Sequence, residues 1–215
     1  MDITTSVLTP NTHVVVLDLD GTLYNKSGMI GEMMLLGIGQ WWRLLAERKT
    51  RKAFRGQYLG CEELFYSTYY RAIANRTAFS EKYISNWYQN TYMPMMVEVI
   101  RRWHQPMAWV VPFAKACHEK GVKLVVLSDY GHAKEKLQAL GLDLQSFDWV
   151  VSAPELGGLK PAPQLMHHIA DRMGVTPQQC LVIGDREDTD GDMARAVNAK
   201  FCLVGLCNML HNPKY

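Results

Sequence analysis

Two aspartates, Asp18 and Asp20, follow the apolar run VVVL at residues 14–17. A β-branched run of this kind predicts a strand buried on both faces of a parallel sheet. Gly21 then permits a sharp exit from the strand, and Thr22 adds a hydroxyl group. Burying one carboxylate without a partner is costly, and two neighbouring carboxylates repel each other. A divalent cation or cationic side chains would relieve this repulsion, which favours a functional site over a solvated turn.

Three further polar signals follow later apolar runs. Ser128 ends the run KLVVLS, Lys160 follows a Gly-rich loop, and the run CLVIG leads into an acidic stretch at residues 185–192. Taken singly, these features have ordinary explanations: a helix cap, a solvated loop lysine and a turn with capping aspartates. Because the carboxyl ends of parallel strands meet at one edge of a sheet, we expect Ser128, Lys160 and the acidic stretch to share a crevice with the first two aspartates.

The residue types in this crevice suit a cation and a phosphoryl group held together. Magnesium prefers carboxylate oxygens and is often completed by phosphate oxygens. A lysine ammonium acts as a point charge on phosphate, and a hydroxyl group can donate a hydrogen bond to another phosphate oxygen. The residues therefore predict a site for magnesium and a phosphorylated small molecule.

The elements that must position these residues fall into two groups. Residues from about 25 to 103 are rich in aromatic residues and methionine, have helical periodicity and contain no convincing strand. Within them, residues 31–49 predict one helix weakened by three glycines, Ser80 is a candidate helix cap, and Pro94 is expected to break or kink a helix. From Pro112, which we expect to open a helix, helices and strands alternate. This alternation is typical of βαβ units and a parallel sheet.

Composition and charge narrow the possible partners. The 215 residues are 48% apolar and carry a formal net charge of +2, which indicates neither a nucleic-acid nor a membrane partner. No apolar run approaches the length of a membrane span, and the N-terminus has no signal-peptide pattern. The five cysteines are scattered without CxxC spacing, which is typical of core thiols in a reducing compartment. We therefore expect a cytoplasmic protein.

The motifs together resemble the haloacid dehalogenase (HAD) superfamily. The resemblance rests on DLDGT at 18–22, Ser128 at a strand end, Lys160-Pro161, and GDREDTD at 184–190, in this order and over nearly the whole chain. It implies an α/β fold with a Rossmann-like parallel sheet of about five strands and helices on both faces.

The same resemblance divides the chain into two domains. Residues 1–24 and 107–215 would form the catalytic core, and residues 25–106 would form an inserted helical C1 cap. Such a cap opens to admit substrate and closes to expel water. We expect its hinges near residues 25–28 and at Gln105-Pro106.

The resemblance also implies a role for each motif residue. Asp18 would attack phosphorus and form an aspartyl-phosphate, and Asp20 would protonate the leaving oxygen and then activate water. Magnesium would be bound by the Asp18 carboxylate, the Asp20 backbone carbonyl and the Asp185 carboxylate. The phosphoryl group would be held by three residues: Thr22, Ser128 and Lys160.

Two positions depart from a clean family pattern. Asp188, Asp190 and Asp192 compete for the second acidic position of the last motif; spacing to the next helix favours Asp190, with Asp188 the alternative metal or supporting residue. Asp129 stands where many members of the superfamily carry asparagine, which adds a negative charge near the site.

Asp20 decides between the activities of the superfamily. Dehalogenases typically lack an acid two residues after the nucleophile, so its presence points to phosphoryl transfer and favours a magnesium-dependent phosphatase acting on a small phosphomonoester. A phosphomutase on the same core is the alternative within that chemistry. A non-catalytic phosphate-binding or regulatory HAD-like protein is the alternative from a different class.

A basic run in the helical part of the chain has two interpretations. The run lies beside two tryptophans and could contact an anionic substrate, but we prefer a solvated helix face. Its members are Arg43, Arg48, Lys49, Arg51, Lys52 and Arg55.

Overall fold

Five strands form one parallel sheet in the computed structural model, which describes residues 7–204. They are β1 (Val14–Asp18), β2 (Lys123–Ser128), β3 (Trp149–Ser152), β4 (Cys180–Gly184) and β5 (Lys200–Leu203). Their spatial order is β3-β2-β1-β4-β5, which confirms the expected sheet of about five parallel strands. β1 therefore lies at the centre, and all five carboxyl ends meet at one edge. Cys207 and the rest of the C-terminal tail lie outside the described residues.

Helices make up most of the remaining described chain. The α-helices are α1 (Met29–Leu36), α2 (Trp41–Phe54), α3 (Glu62–Thr77), α4 (Glu81–Trp87), α5 (Met93–Trp103), α6 (Val110–Glu119), α7 (Ala133–Ala139), α8 (Gln164–Met173) and α9 (Asp192–Ala196). Two π-helical turns, Tyr88–Tyr92 and Glu187–Gly191, precede α5 and α9. Within residues 7–204, no helix combines the length and the apolar composition that crossing a membrane requires.

Helices cover both faces of the sheet, as expected for a Rossmann-like fold. Val14 and Val16 of β1 pack into one apolar cluster together with residues of α8 and α9. Val15 and Leu17 pack into a second cluster on the opposite face with residues of α6 and α7. Burying an aliphatic side chain of this size contributes about 1.5–3 kcal/mol. β1 is thus anchored from both sides, and its carboxyl end is held in a fixed position.

A helical segment, α1 to α5 at residues 29–103, lies between β1 and β2 in the sequence and contains no strand. The expectation of a single helix over residues 31–49 was wrong, because the chain leaves the helix at Gly37 and begins α2 at Trp41. Ser80 does cap a helix: its Oγ accepts a hydrogen bond from the Tyr83 backbone N–H at 3.2 Å.

The two prolines that we used to place helix boundaries lie in first turns. Pro94 is the second residue of α5, whose first residue follows a π-helical turn; Tyr92 and Met93 both have right-handed helical backbone angles, so the chain reaches Pro94 without the break that we expected. Pro112 is the third residue of α6, which begins at Val110. The expected start at Pro112 was therefore two residues late, since a proline is tolerated anywhere in a first turn, where its missing N–H has no helical partner.

Candidate active site

Asp18 lies at the centre of the polar edge of the sheet. It is the last residue of β1 and is buried. Thr22 Oγ1 donates a hydrogen bond to Asp18 Oδ2 at 2.8 Å, and Lys160 Nζ donates to Asp18 Oδ1 at 2.5 Å. Lys160 Nζ also donates to Asp190 Oδ1 at 2.7 Å. The loop after β3 thus carries a buried ammonium between an acid of β1 and an acid that follows β4.

Three carboxylates form what we call the acidic cluster: Asp18, Asp185 and Asp190. Each offers one oxygen, and these oxygens all lie within 4.8 Å of one another. Asp185 follows β4 directly, and Asp190 lies in the turn Glu187–Gly191. Gly184 makes room for this arrangement, because a Cβ atom added there would lie 2.3 Å from Asp190 Cγ.

The acidic cluster fits a divalent cation. Asp185 Oδ1 is buried and has no hydrogen-bond partner among the described residues. Buried carboxylate oxygens without a donor are rare, because leaving them unpaired is costly. Burial raises the pKa of Asp18 to about 7, and the neighbouring Asp190 and Asp185 carboxylates also raise it, against the opposing effect of Lys160. A bound magnesium ion would add positive charge to these three carboxylates, of which Lys160 contacts two.

Asp20 lies beside the acidic cluster and has a different set of partners. Its carboxylate accepts hydrogen bonds from Tyr24 Oη at 2.7 Å, from Ser128 Oγ at 2.9 Å, and from Lys136 Nζ at 2.9 and 3.0 Å. Burial raises the pKa of Asp20, but Lys136 and the two hydroxyl donors outweigh burial and hold the pKa below its ordinary value. The second aspartate is therefore stabilised as a carboxylate.

Lys136 is a site residue that the sequence analysis missed. It lies on α7, its side chain is 0% exposed, and its Nζ lies 4.7 Å from the centre of the Tyr130 ring. In the sequence AKEKLQAL it resembles a solvated helix lysine. A signal was present, however: Lys136 is three residues after Ala133 and four before Leu140, both buried, which places it on the inward side of the helix.

Asp188 and Asp190 lie in different surroundings. Asp190 is 1% exposed and belongs to the acidic cluster. Asp188 points outward and pairs with Arg55, the residue that follows α2, at 2.5 Å and with Arg186 at 2.9 Å. The alternative in which Asp188 contributes to the same cation site therefore has no geometric support.

The interpretation of the basic run as a solvated face was wrong for Arg51. Arg51 Nη1 donates to the Asp129 backbone carbonyl at 2.5 Å, and its guanidinium carbon lies 3.9 Å from the centre of the Tyr130 ring. Arg51 Nε and Nη2 donate to Glu47 Oε1 at 2.8 and 2.6 Å. The loop after β2 covers Arg51, so this residue joins α2 to that loop.

Asp129 and Lys26 each contact a main-chain atom of a site residue, and Lys26 also pairs with a site carboxylate. Asp129 Oδ1 accepts a hydrogen bond from the Lys160 backbone N–H at 3.0 Å, which joins the loops after β2 and β3. Lys26 Nζ donates to the Asp20 backbone carbonyl at 2.9 Å and lies 2.5 Å from Asp185 Oδ2. Gly21 leaves the space for this lysine, because an added Cβ atom would lie 2.7 Å from Lys26 Nζ.

A cavity of about 500 Å³ lies elsewhere between the helical segment and the sheet. Tyr66 and Tyr70 of α3, His132 and Glu155 are among its lining residues. No member of the acidic cluster lines it, so this cavity is separate from the site described above.

The fold and this set of residues define a hydrolase class. A family model described as haloacid dehalogenase-like hydrolase matches residues 12–198, which contain β1 to β4 and end just before β5. The chain belongs to the haloacid dehalogenase-like hydrolases, as the four motifs indicated.

Individual relatives are more distant. The chain is 28% identical over 205 residues to a phosphoglycolate phosphatase of Aquifex aeolicus, an alignment that covers 89% of this chain and 84% of that protein. The chain spans less than half of the length of the other curated relatives that it matches.

Solved structures share the fold at low identity. A 2-haloacid dehalogenase from Pseudomonas syringae is 16% identical with a TM-score of 0.61, over 89% of this chain and 86% of that chain. The HAD-hydrolase YfnB of Bacillus subtilis, solved with magnesium bound, is 12% identical with a TM-score of 0.61, over 89% of this chain and 88% of that chain.

Proposed function

We propose that this chain is a magnesium-dependent phosphatase that hydrolyses a small phosphomonoester through an aspartyl-phosphate intermediate. The observation that carries the proposal is the pair Asp18 and Asp20, the first beside Lys160 and the acidic cluster and the second held by three donors. The relative from Aquifex aeolicus, a phosphoglycolate phosphatase, supports this class of reaction. We also propose that the enzyme works in the cytoplasm.

Asp18 is the nucleophile of the proposed reaction. Its carboxylate oxygen attacks phosphorus, the bond from phosphorus to the substrate's ester oxygen breaks, and the phosphoryl group is left on Asp18. Lys160 contributes a positive charge beside the attacking carboxylate, and burial keeps water away from it. Burial and the neighbouring Asp190 and Asp185 carboxylates raise the pKa of Asp18 to about 7, so a bound cation would favour its ionised form near neutral pH.

Asp20 handles the proton. Because Asp20 is held as a carboxylate, it must take up a proton before the first step; it then protonates the departing ester oxygen, and in the second step it accepts a proton from the water that attacks the aspartyl-phosphate. The proton lost in the first step is thereby recovered in the second. Tyr24, Ser128 and Lys136 keep this carboxylate oriented between the two steps.

The cation and the phosphoryl group have separate sets of proposed ligands. Asp18, the Asp20 carbonyl and Asp185 would hold magnesium, with Asp190 supporting them. When bound, the ion neutralises charge that would otherwise repel an anionic nucleophile from an anionic substrate. The YfnB structure, which has the same fold and contains magnesium, supports the choice of ion. The donors for the phosphoryl oxygens would be Thr22, Ser128 and Lys160.

Residues 25–106 form the proposed cap, and residues 1–24 and 107–215 the proposed catalytic core. Contacts between the helical segment and the site loops support this division. The Gly56 backbone N–H donates to the Lys160 carbonyl at 3.2 Å, and Arg51 reaches the loop after β2. Opening of such a cap would expose Lys160 to substrate, and closure would exclude water.

The proposal is tested by phosphate release from p-nitrophenyl phosphate and from a panel of phosphorylated metabolites, with and without magnesium. We expect Asp18→Asn to abolish magnesium-dependent hydrolysis, because an amide cannot act as the nucleophile. Asp171→Asn, an exposed aspartate on α8, is the matched control and should retain wild-type activity. A wild-type protein that is inactive against the whole panel would favour the non-catalytic alternative. Transfer of phosphate back to substrate without net release would favour a phosphomutase.

A further inference from the structure

Lys26 has no role in the mechanism above, yet its ammonium lies within the proposed metal site. It contacts two of the oxygens that the proposal assigns to magnesium: the Asp20 backbone carbonyl at 2.9 Å and Asp185 Oδ2 at 2.5 Å. A carbonyl and a carboxylate oxygen that converge on one ammonium form the same donor set that a hard divalent cation requires.

We propose that Lys26 is an internal cation that competes with the metal for these two oxygens, so that metal binding displaces the lysine. This inference rests on the proposed function and concerns the regulation of that same site. The two cations exclude each other, because both need the same oxygens at contact distance and both are positively charged.

The exposure of Lys26 makes displacement feasible. Its side chain is 42% exposed, whereas that of Lys160 is only 3% exposed. A half-exposed ion pair changes an equilibrium constant by at most about fivefold, because water and salt screen it and the free side chain regains rotamer freedom. A divalent cation can therefore replace Lys26 without disturbing the buried lysine.

Lys26 also lies at the entrance to the helical segment. The Asn25 backbone carbonyl accepts a hydrogen bond from His104 Nδ1 at 2.8 Å, which joins the two chain passages between sheet and helical segment. The Met29 backbone N–H donates to the Lys26 carbonyl at 3.2 Å, at the start of α1. The turn that connects β1 to the proposed cap is thus held by hydrogen bonds to main-chain atoms, which do not depend on the position of the Lys26 ammonium.

The test measures binding of Mn²⁺, as a spectroscopic substitute for Mg²⁺, by electron paramagnetic resonance. Lys26→Met removes the competing charge, and we expect the dissociation constant to fall by up to about fivefold. Lys26→Arg keeps a cation at the same place and should stay within about twofold of wild type. Lys52→Met, an exposed lysine of α2 outside the site, is the matched control. Thermal unfolding confirms that each variant is folded.

A second measurement follows Lys26 itself. Labelling of wild-type lysines with an amine-reactive acetylating reagent, read by mass spectrometry, should show increased modification of Lys26 when Mn²⁺ is added, and no change at Lys52. Equal Mn²⁺ affinity in wild type and Lys26→Met, or unchanged labelling of Lys26, would overturn the inference. Absence of Mn²⁺ binding to both proteins would also overturn it. The phosphatase proposal is judged separately, by Asp18-dependent phosphate release.

Discussion

Lys136 is the buried cation opposite Asp20, and its replacement by methionine measures how strongly the second aspartate is held. Methionine has nearly the same length and fills the space of the lysine stem without its charge. The Lys136 side chain is 0% exposed and contacts both carboxylate oxygens of Asp20. After the substitution, Asp20 keeps the hydroxyl donors of Tyr24 and Ser128 but has no cation beside it.

The expected loss of unfolding free energy depends on whether Asp20 remains charged or takes up a proton in the variant. Removing one partner of a buried ion pair costs about 3–5 kcal/mol, since the other charge remains buried. Asp20 can limit this loss by taking up a proton. At pH 7, protonating a carboxyl whose ordinary pKa is 3.8 costs about 4 kcal/mol, because each pKa unit is worth about 1.4 kcal/mol. Methionine also avoids the burial cost of the ammonium, so we expect a loss of about 3 kcal/mol.

The loss should depend on pH in a definite direction. In the wild type the pKa of Asp20 is lowered, so its contribution to stability is present above pH 3.8 and is lost only on further acidification. In Lys136→Met the pKa of Asp20 in the folded state rises above 3.8, so stability falls as the pH increases from about 4 towards 7. At pH 5, protonating Asp20 costs less than about 2 kcal/mol, and the loss of unfolding free energy cannot exceed this cost.

Urea unfolding at pH 7 and pH 5, followed by tryptophan fluorescence in metal-free buffer, measures the loss of unfolding free energy at each pH. A loss of 3 kcal/mol corresponds to a decrease of about 6–12 °C in Tm for a chain of this size. Lys134→Met, on the same helix but exposed, is the control and should be neutral. Adding Asp20→Asn to Lys136→Met should recover stability at pH 7, because no buried charge remains. An equal loss at both pH values, or none at pH 7, would refute the reasoning.

Three further outcomes follow from the site and the core. Asp190→Asn should lower the rate of hydrolysis by more than about 100-fold, which corresponds to a loss of about 3 kcal/mol of transition-state stabilisation. Asp188→Asn should lower the rate by less than about threefold. Similar losses in the two variants would contradict the assignment of Asp190, rather than Asp188, to the acidic cluster. Magnesium should raise Tm more at pH 8 than at pH 5.5, because Asp18, with its pKa raised to about 7, must lose its proton to bind the ion; a larger increase at pH 5.5 would contradict this. Iodoacetamide at pH 8 should modify exposed Cys61 and leave Cys117 unmodified, because Cys117 is buried and its pKa is raised to about 12; peptide mass spectrometry compares the two, and equal rates would show that this core opens.

The sequence predicted those parts of the site that depend only on the local pattern of residues. A β-branched run followed by Asp18 identifies the strand and its carboxyl end, because burial on both faces leaves few other readings of VVVL. Lys160 and Asp185 could be placed in the same way, since each follows a strand and parallel strands share an edge. None of these steps requires knowledge of which helix packs where.

The residues that the sequence analysis missed or misread depend on tertiary packing. Lys136 and Arg51 both lie on helices, where a charged residue usually marks the solvated face. Arg51 instead contacts the Asp129 carbonyl because the loop after β2 covers that face, and no local pattern encodes this meeting of distant segments. Lys26 follows the first motif by only a few residues, but its contact with Asp185 joins residues 159 positions apart in the chain.

The distribution of cations along the sheet edge indicates which acid exchanges its partner. Lys136 pairs with Asp20 and Lys160 with Asp18, and both of these ammonium groups are buried. Asp185 pairs with the half-exposed Lys26 and keeps one buried oxygen without a donor among residues 7–204. Because a buried ion pair is costly to separate and an exposed one is not, an incoming divalent cation meets the least resistance at Asp185. The two buried lysines then remain in place to hold the attacking and the proton-transferring carboxylates.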